Sequence, residues 1–103
     1  MLRKDWEKMI THIVCFKLKD RSPESVGKTA QVLRDMEGKI DVLRHLEVGI
    51  DVLHSERSYD IGLITKFDSL ADLQAYQVHP VHQQVIEHMN SVREASVSVD
   101  FES

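Results

Sequence analysis

A chain of 103 residues, 42% of them hydrophobic, fits one globular domain and is too rich in apolar residues for a disordered segment. The formal charge is -4, from 13 Lys and Arg against 17 Asp and Glu with the histidines neutral, and the basic residues are scattered, so nucleic acid is not expected as a partner. No apolar run nears the roughly 20 residues that span a bilayer and none has the order of a signal peptide, so no membrane partner is expected and the cytoplasm is the expected location.

After a charged leader over residues 1–8, the run Met9 to Lys19 has strand character, with His12, Val14, Phe16 and Leu18 on one face and Ile13 and Cys15 on the other. Leu2 and Trp6 are the only large apolar leader residues besides Met1, so truncation to Met9 is expected to leave the fold intact. Ser22 as N-cap and Pro23 at the first helical position open a helix that carries Val26, Ala30, Leu33 and Met36 or Glu37 at helical spacing and ends at Gly38. From Leu43 the period changes to two, and Leu46, Val48, Ile50 and Val52 share one face of a second strand. His54 to Ser58 reads as a hairpin loop, and Tyr59 to Phe67 as a third strand with Ile61, Leu63, Thr65 and Phe67 on one face. Ser69 to Asp72 has the form of a capping box with Asp in place of Glu, starting a helix with Leu70, Leu73 and Tyr76 along one side. Pro80 ends or kinks that helix, which restarts through Val81, Val85, Ile86 and Met89. Ala95, Val97, Val99 and Phe101 then alternate with Ser96, Ser98 and Asp100 in a fourth strand. The order is βαββαβ, an α+β, ferredoxin-like protomer.

The chemistry concentrates in Tyr76-Gln77-Val78-His79-Pro80-Val81-His82, where a phenol and two imidazoles flank a helix-breaking proline. A histidine with a reference pKa of about 6.5 can accept a proton from carbon beside a carbonyl, and a tyrosine can donate to the resulting enolate. His12 adds a second polar group on an apolar face. Each also has a quieter reading: His79 as a helix-ending residue bonded to backbone, His82 as a structural or surface histidine, Tyr76 as a core aromatic, His12 as a hydrogen-bonded core histidine. His45, His54 and His88 read as solvated. His79 and His82 are spaced like helical metal ligands, but Pro80 breaks the regularity and no Cys or carboxylate completes a set, so no metal is expected. The glycines, Gly27, Gly38, Gly49 and Gly62, are too dispersed for a phosphate cradle, and nucleotide cofactors are not expected. Cys15, the lone cysteine, reads as a small buried hydrophobe.

The opening Met9-Ile10-Thr11-His12-Ile13-Val14-Cys15-Phe16-Lys17, the stretch Phe67-Asp68-Ser69 through Tyr76, and His79-Pro80-Val81-His82 resemble the stress-responsive A/B barrel family, over Met9 to about Phe101. The resemblance implies a homodimer in which two ferredoxin-like units pack their sheets back to back as a dimeric α+β barrel, helices outside. A plant member of the family closes a linear polyketide by aldol chemistry without metal or organic cofactor, through a tyrosine and a histidine of a Tyr-x-x-His-Pro-x-His motif. By resemblance Tyr76 and His82 are the catalytic positions, no cofactor is needed, and His12 matches a histidine lining that pocket. Ile61 stands where that member has a histidine, implying a drier pocket.

Two functions remain open on these residues. One is a cofactor-independent enzyme, a cyclase, isomerase or oxygenase, acting on a small hydrophobic carbonyl ligand. The other is a stress-associated dimer that binds a hydrophobic molecule or only assembles. In the first, Phe16, Leu63 and Phe67 form dry walls while His12, His79, Tyr76 and His82 supply the polar end. Dimerisation is expected through the sheet face opposite the helices, where Ile13 and Cys15 would otherwise be exposed.

Overall fold

In the computed structural model of the protein, residues 8–103 are described, so the expectations for the leader, Leu2 and Trp6 included, lie outside the described residues but for Lys8. Strand β1 runs Ile10–Leu18, helix α1 Pro23–Arg34, β2 His45–Ile50, β3 Ile61–Phe67, α2 Leu70–Gln77, α3 Pro80–Val92 and β4 Arg93–Glu102. The caps are those the sequence predicts: Ser22 Oγ accepts the Ser25 N–H at 3.3 Å and Ser69 Oγ accepts the Asp72 N–H at 3.1 Å. Gly38, with φ of 77°, turns the chain after α1 in the left-handed region that a side chain disfavours. Val52 does not extend β2; the strand stops at Ile50, and Val52 is exposed in the loop that follows. That loop is tied down by Asp60, whose buried carboxylate accepts the Leu18 N–H at 2.8 Å and Arg21 Nε at 2.9 Å, while Arg21 Nη2 reaches the Ser58 carbonyl at 2.8 Å.

The four strands form one antiparallel sheet in the order β2-β3-β1-β4. This confirms the ferredoxin-like protomer and corrects the expected α+β barrel: β2 and β4 are edges that do not meet, and the sheet stays open. Four strands are too few to curl onto themselves around a filled interior, for which about eight are typical.

Register assigns the faces. Phe16 lies opposite Ile61, Val14 opposite Leu63 and His12 opposite Thr65, all on the side covered by the helices, where Leu18, Leu33, Leu73 and Tyr76 complete the core. The uncovered side carries Ile13 between Ile64 and Val99, and Cys15 between Gly62 and Val97. On β4 the polarity is inverted relative to a strand under helices. Ser96, Ser98 and Asp100 lie on the helix side, yet Val97, Val99 and Phe101 on the bare side are 53%, 52% and 44% exposed. The pairing of β1 with β4 also shifts between Lys17 and Leu18: Lys17 faces Ala95, but Leu18 faces Arg93, leaving Glu94 as the extra residue of a bulge. Strict alternation would have put Arg93 on the face of Val97; the bulge turns it to the helix side.

Candidate functional site

Pro80 builds the site by what it cannot do. Lacking an N–H, it cannot continue the ladder of α2, which ends at Gln77; the His79 N–H bonds the Tyr76 carbonyl at 3.1 Å instead. His79 becomes the N-cap of α3, its Nδ1 accepting the Val81 N–H at 3.1 Å. In an unbroken helix that N–H would have gone to the Gln77 carbonyl. The freed carbonyl is taken by Gln83 Nε2 at 2.7 Å and His82 Nδ1 at 3.2 Å, so the break that defeats ideal helical spacing is what returns His82 to Tyr76.

Tyr76 is fully buried between two rings, with its centroid 4.9 Å from Phe67 and 4.1 Å from His82, and with His12 at 6.5 Å approaching edge-on. Its hydroxyl donates to Met36 Sδ at 3.8 Å, a weak acceptor. Burial pushes the phenol far above its ordinary range, so it stays protonated and available as a donor. His82 is shifted down from 6.5, chiefly by burial; the Gln77 carbonyl opposes this, and His12 and His79 add a smaller push in the direction of burial. A carbonyl only accepts, so His82 Nδ1 carries the proton and the neutral ring keeps its lone pair at Nε2. His12 Nδ1 likewise donates to the Asp100 carboxylate across β1 and β4.

These groups line a cavity of about 160 Å³ between the sheet and α3. The structure brings His12, Phe16, Leu63, Tyr76 and His82 onto its wall, with Val14, Leu33, Met36, Val85, Ile86 and Met89 supplying further apolar surface. Phe67 and His79 are not on it: Phe67 backs Tyr76 from the core, and the His79 ring is spent on the cap. Ile61 is buried in the core and likewise off the wall. Asn90, Arg93 and Ser96, absent from the sequence-based site, form the polar end. Of these, Ser96 was legible as a helix-side residue by alternation, whereas Arg93 was hidden by the bulge.

Of the other histidines, His45 and His54 are exposed, but His88 is half-buried, and its Nε2 is buried without a hydrogen-bond partner among the described residues. Among those residues no group of three or more His, Cys, Asp or Glu could hold a metal ion, and no helix is long and apolar enough to cross a membrane.

Comparison with known proteins places this fold in a family. The chain is 32% identical over 98 residues to the stress-response A/B barrel domain-containing protein DABB1 of Arabidopsis thaliana; the match takes in 90% of this chain and 46% of that protein, so the chain spans about half the length of its curated relative. Among solved structures, a dimeric ferredoxin-like protein of unknown function from Bacteroides fragilis is 31% identical, with a TM-score of 0.79 over 92% of this chain and 96% of that one. A dimeric ferredoxin-like protein of unknown function from Thermobifida fusca is 25% identical, with a TM-score of 0.82 over 93% of this chain and 92% of that one. The model of the stress responsive A/B barrel domain matches residues 10–103, nearly the whole described chain, and the chain therefore belongs to that family.

Proposed function

We propose that the protein is a homodimer, joined through the bare sheet face, whose cavity binds a small apolar carbonyl compound and removes a proton from the carbon beside the carbonyl. His82 is the base and Tyr76 the donor to the enolate oxygen. The observation that carries the reading is the convergence of His12, Tyr76 and His82 on one cavity with largely apolar walls, with His82 neutral and its Nδ1 already committed to Gln77. Proton transfer to carbon needs a neutral imidazole with a free lone pair, and the burial of His82 favours that form. The Tyr76 hydroxyl, held among the described residues by a thioether alone, gives up little by turning to a ligand oxygen. The cavity is close in size to the ~150 Å³ that accommodates benzene in an apolar protein interior, which favours a compact ligand over an extended polyketide. The dimer is supported by the exposed Val97, Val99 and Phe101 and by the dimeric state of the similar Bacteroides fragilis and Thermobifida fusca proteins.

The test is deuterium exchange at the carbon beside the carbonyl of 2-heptanone in heavy water. Wild-type protein should accelerate it, and His82→Ala should remove the acceleration by about 10²-fold or more. One observation favours a second reading, a non-catalytic ligand-binding dimer: His82 stacks on the face of Tyr76 instead of meeting its hydroxyl. Ligand binding without any exchange above background would select it.

A further inference from the structure

Arg93 stands at the junction of α3 and β4, half-buried and facing the cavity. Its Nε and Nη2 donate to Asn90 Oδ1 at 3.2 and 2.9 Å, and its Nη1 donates to Ser96 Oγ at 3.3 Å. These are neutral acceptors, and no carboxylate among the described residues pairs with it, whereas Lys17, Arg21 and Arg44 each have one. The guanidinium carries more N–H donors than these bonds use. Asn90 and Ser96 thus fix its orientation without neutralising its charge, an arrangement suited to a carboxylate, which a guanidinium can grip through two parallel bonds.

Two features of the backbone aim it. The bulge at Glu94 takes Arg93 out of phase with Val97 and places it on the same side as Ser96. Charge is also segregated along β4: Asp100, bonded to His12, lies ~13 Å along the strand from Ser96. One end of the site is therefore cationic, while at the other end His12 is on the wall and the Asp100 carboxylate bonded to it is not. Along α3, His82 and Arg93 are ~16 Å apart between Cα atoms, and the bonds to Asn90 show the Arg93 side chain leaning back toward His82. A compact chain bridges the remainder.

We propose that Arg93 is an anion anchor, and that the ligand is a small, mainly apolar carbonyl compound bearing a carboxylate, its acid group at Arg93 and its carbonyl at Tyr76 and His82. This rests on the cavity being the ligand site. The test titrates the full chain with 6-oxoheptanoate and with its methyl ester, following amide and side-chain resonances of Tyr76 and His82. Wild-type protein should bind the acid about 10-fold or more tighter than the ester. Arg93→Gln should weaken the acid by about the same factor and the ester by less than about 3-fold, with Arg93→Lys between the two. Equal affinities for acid and ester in the wild type, a comparison that needs no variant to fold, overturn the anchor. So does an Arg93→Gln variant that weakens both ligands alike, which would make Arg93 a structural cap. If both ligands shift the two rings without preference, the cavity reading survives and the anchor alone falls; if neither does, both fall.

Discussion

His82 is half-buried with its proton affinity lowered, and acid should expose that state in two ways. The unfolded chain takes up a proton on this residue near 6.5, while the folded chain resists until lower pH. Between those values the unfolded state binds more protons, so stability rises with pH across the window and falls as pH drops below about 6.5. Replacing His82 by Gln should flatten this acid limb, read as urea midpoints measured from pH 7 to pH 5; parallel curves for the two proteins would show that His82 contributes nothing to it. Exchange activity should persist below 6.5, because the basic form persists there. Tyr76→Phe separates donation from packing: it removes only a weak O–H to sulfur bond, so stability should change by no more than about 1 kcal/mol, while exchange falls about 10-fold or more. Equal and unchanged exchange rates would leave Tyr76 as core filler.

At the scale of elements, His79 and Asp60 show how a polar side chain can be structural. Losing the Nδ1 cap in His79→Ala should cost about 1 kcal/mol in chemical denaturation, with ligand affinity nearly unchanged. Asp60→Ala should cost about 3 kcal/mol or more, since it orphans the buried Leu18 N–H and unpairs Arg21. The strands, the caps at Ser22 and Ser69 and the break at Pro80 were legible in the sequence because period and capping are local. The proximity of Tyr76 and His82 was half legible: the motif is contiguous, but its closure depends on which donor takes the Gln77 carbonyl, and no spacing rule states that. Face and neighbourhood point Phe67 and His79 at the pocket, yet a residue on the correct face can lie behind another ring, and a histidine beside a proline can spend its ring on backbone. Asp60 gave no signal at all, because its partners are distant in sequence.

Among the described residues the molecule is asymmetric across its sheet, with helices and cavity on one side and an apolar surface that no helix covers on the other. Val99→Lys should place a charge in the middle of the exposed row Val97, Val99 and Phe101 and convert the proposed dimer to monomer by sedimentation, with its circular dichroism unchanged; a monomeric wild type would remove the interface altogether. The expectation of a closed barrel failed at this scale, since strand patterning fixes which residues face inward but not whether two edges meet. Glu94 gives the same asymmetry a further meaning. Before it, β4 counts odd residues toward the cavity; after it, odd residues point away. Deleting Glu94 would restore a single parity without moving Arg93, which would directly precede Ala95 and stay opposite Leu18 on the cavity side. A one-residue deletion would then leave the charge on its own surface: Arg93 owes its side to its pairing with Leu18, and a β4 one residue shorter should keep its cation at the ligand end while the row of Val97 and Val99 stays apolar.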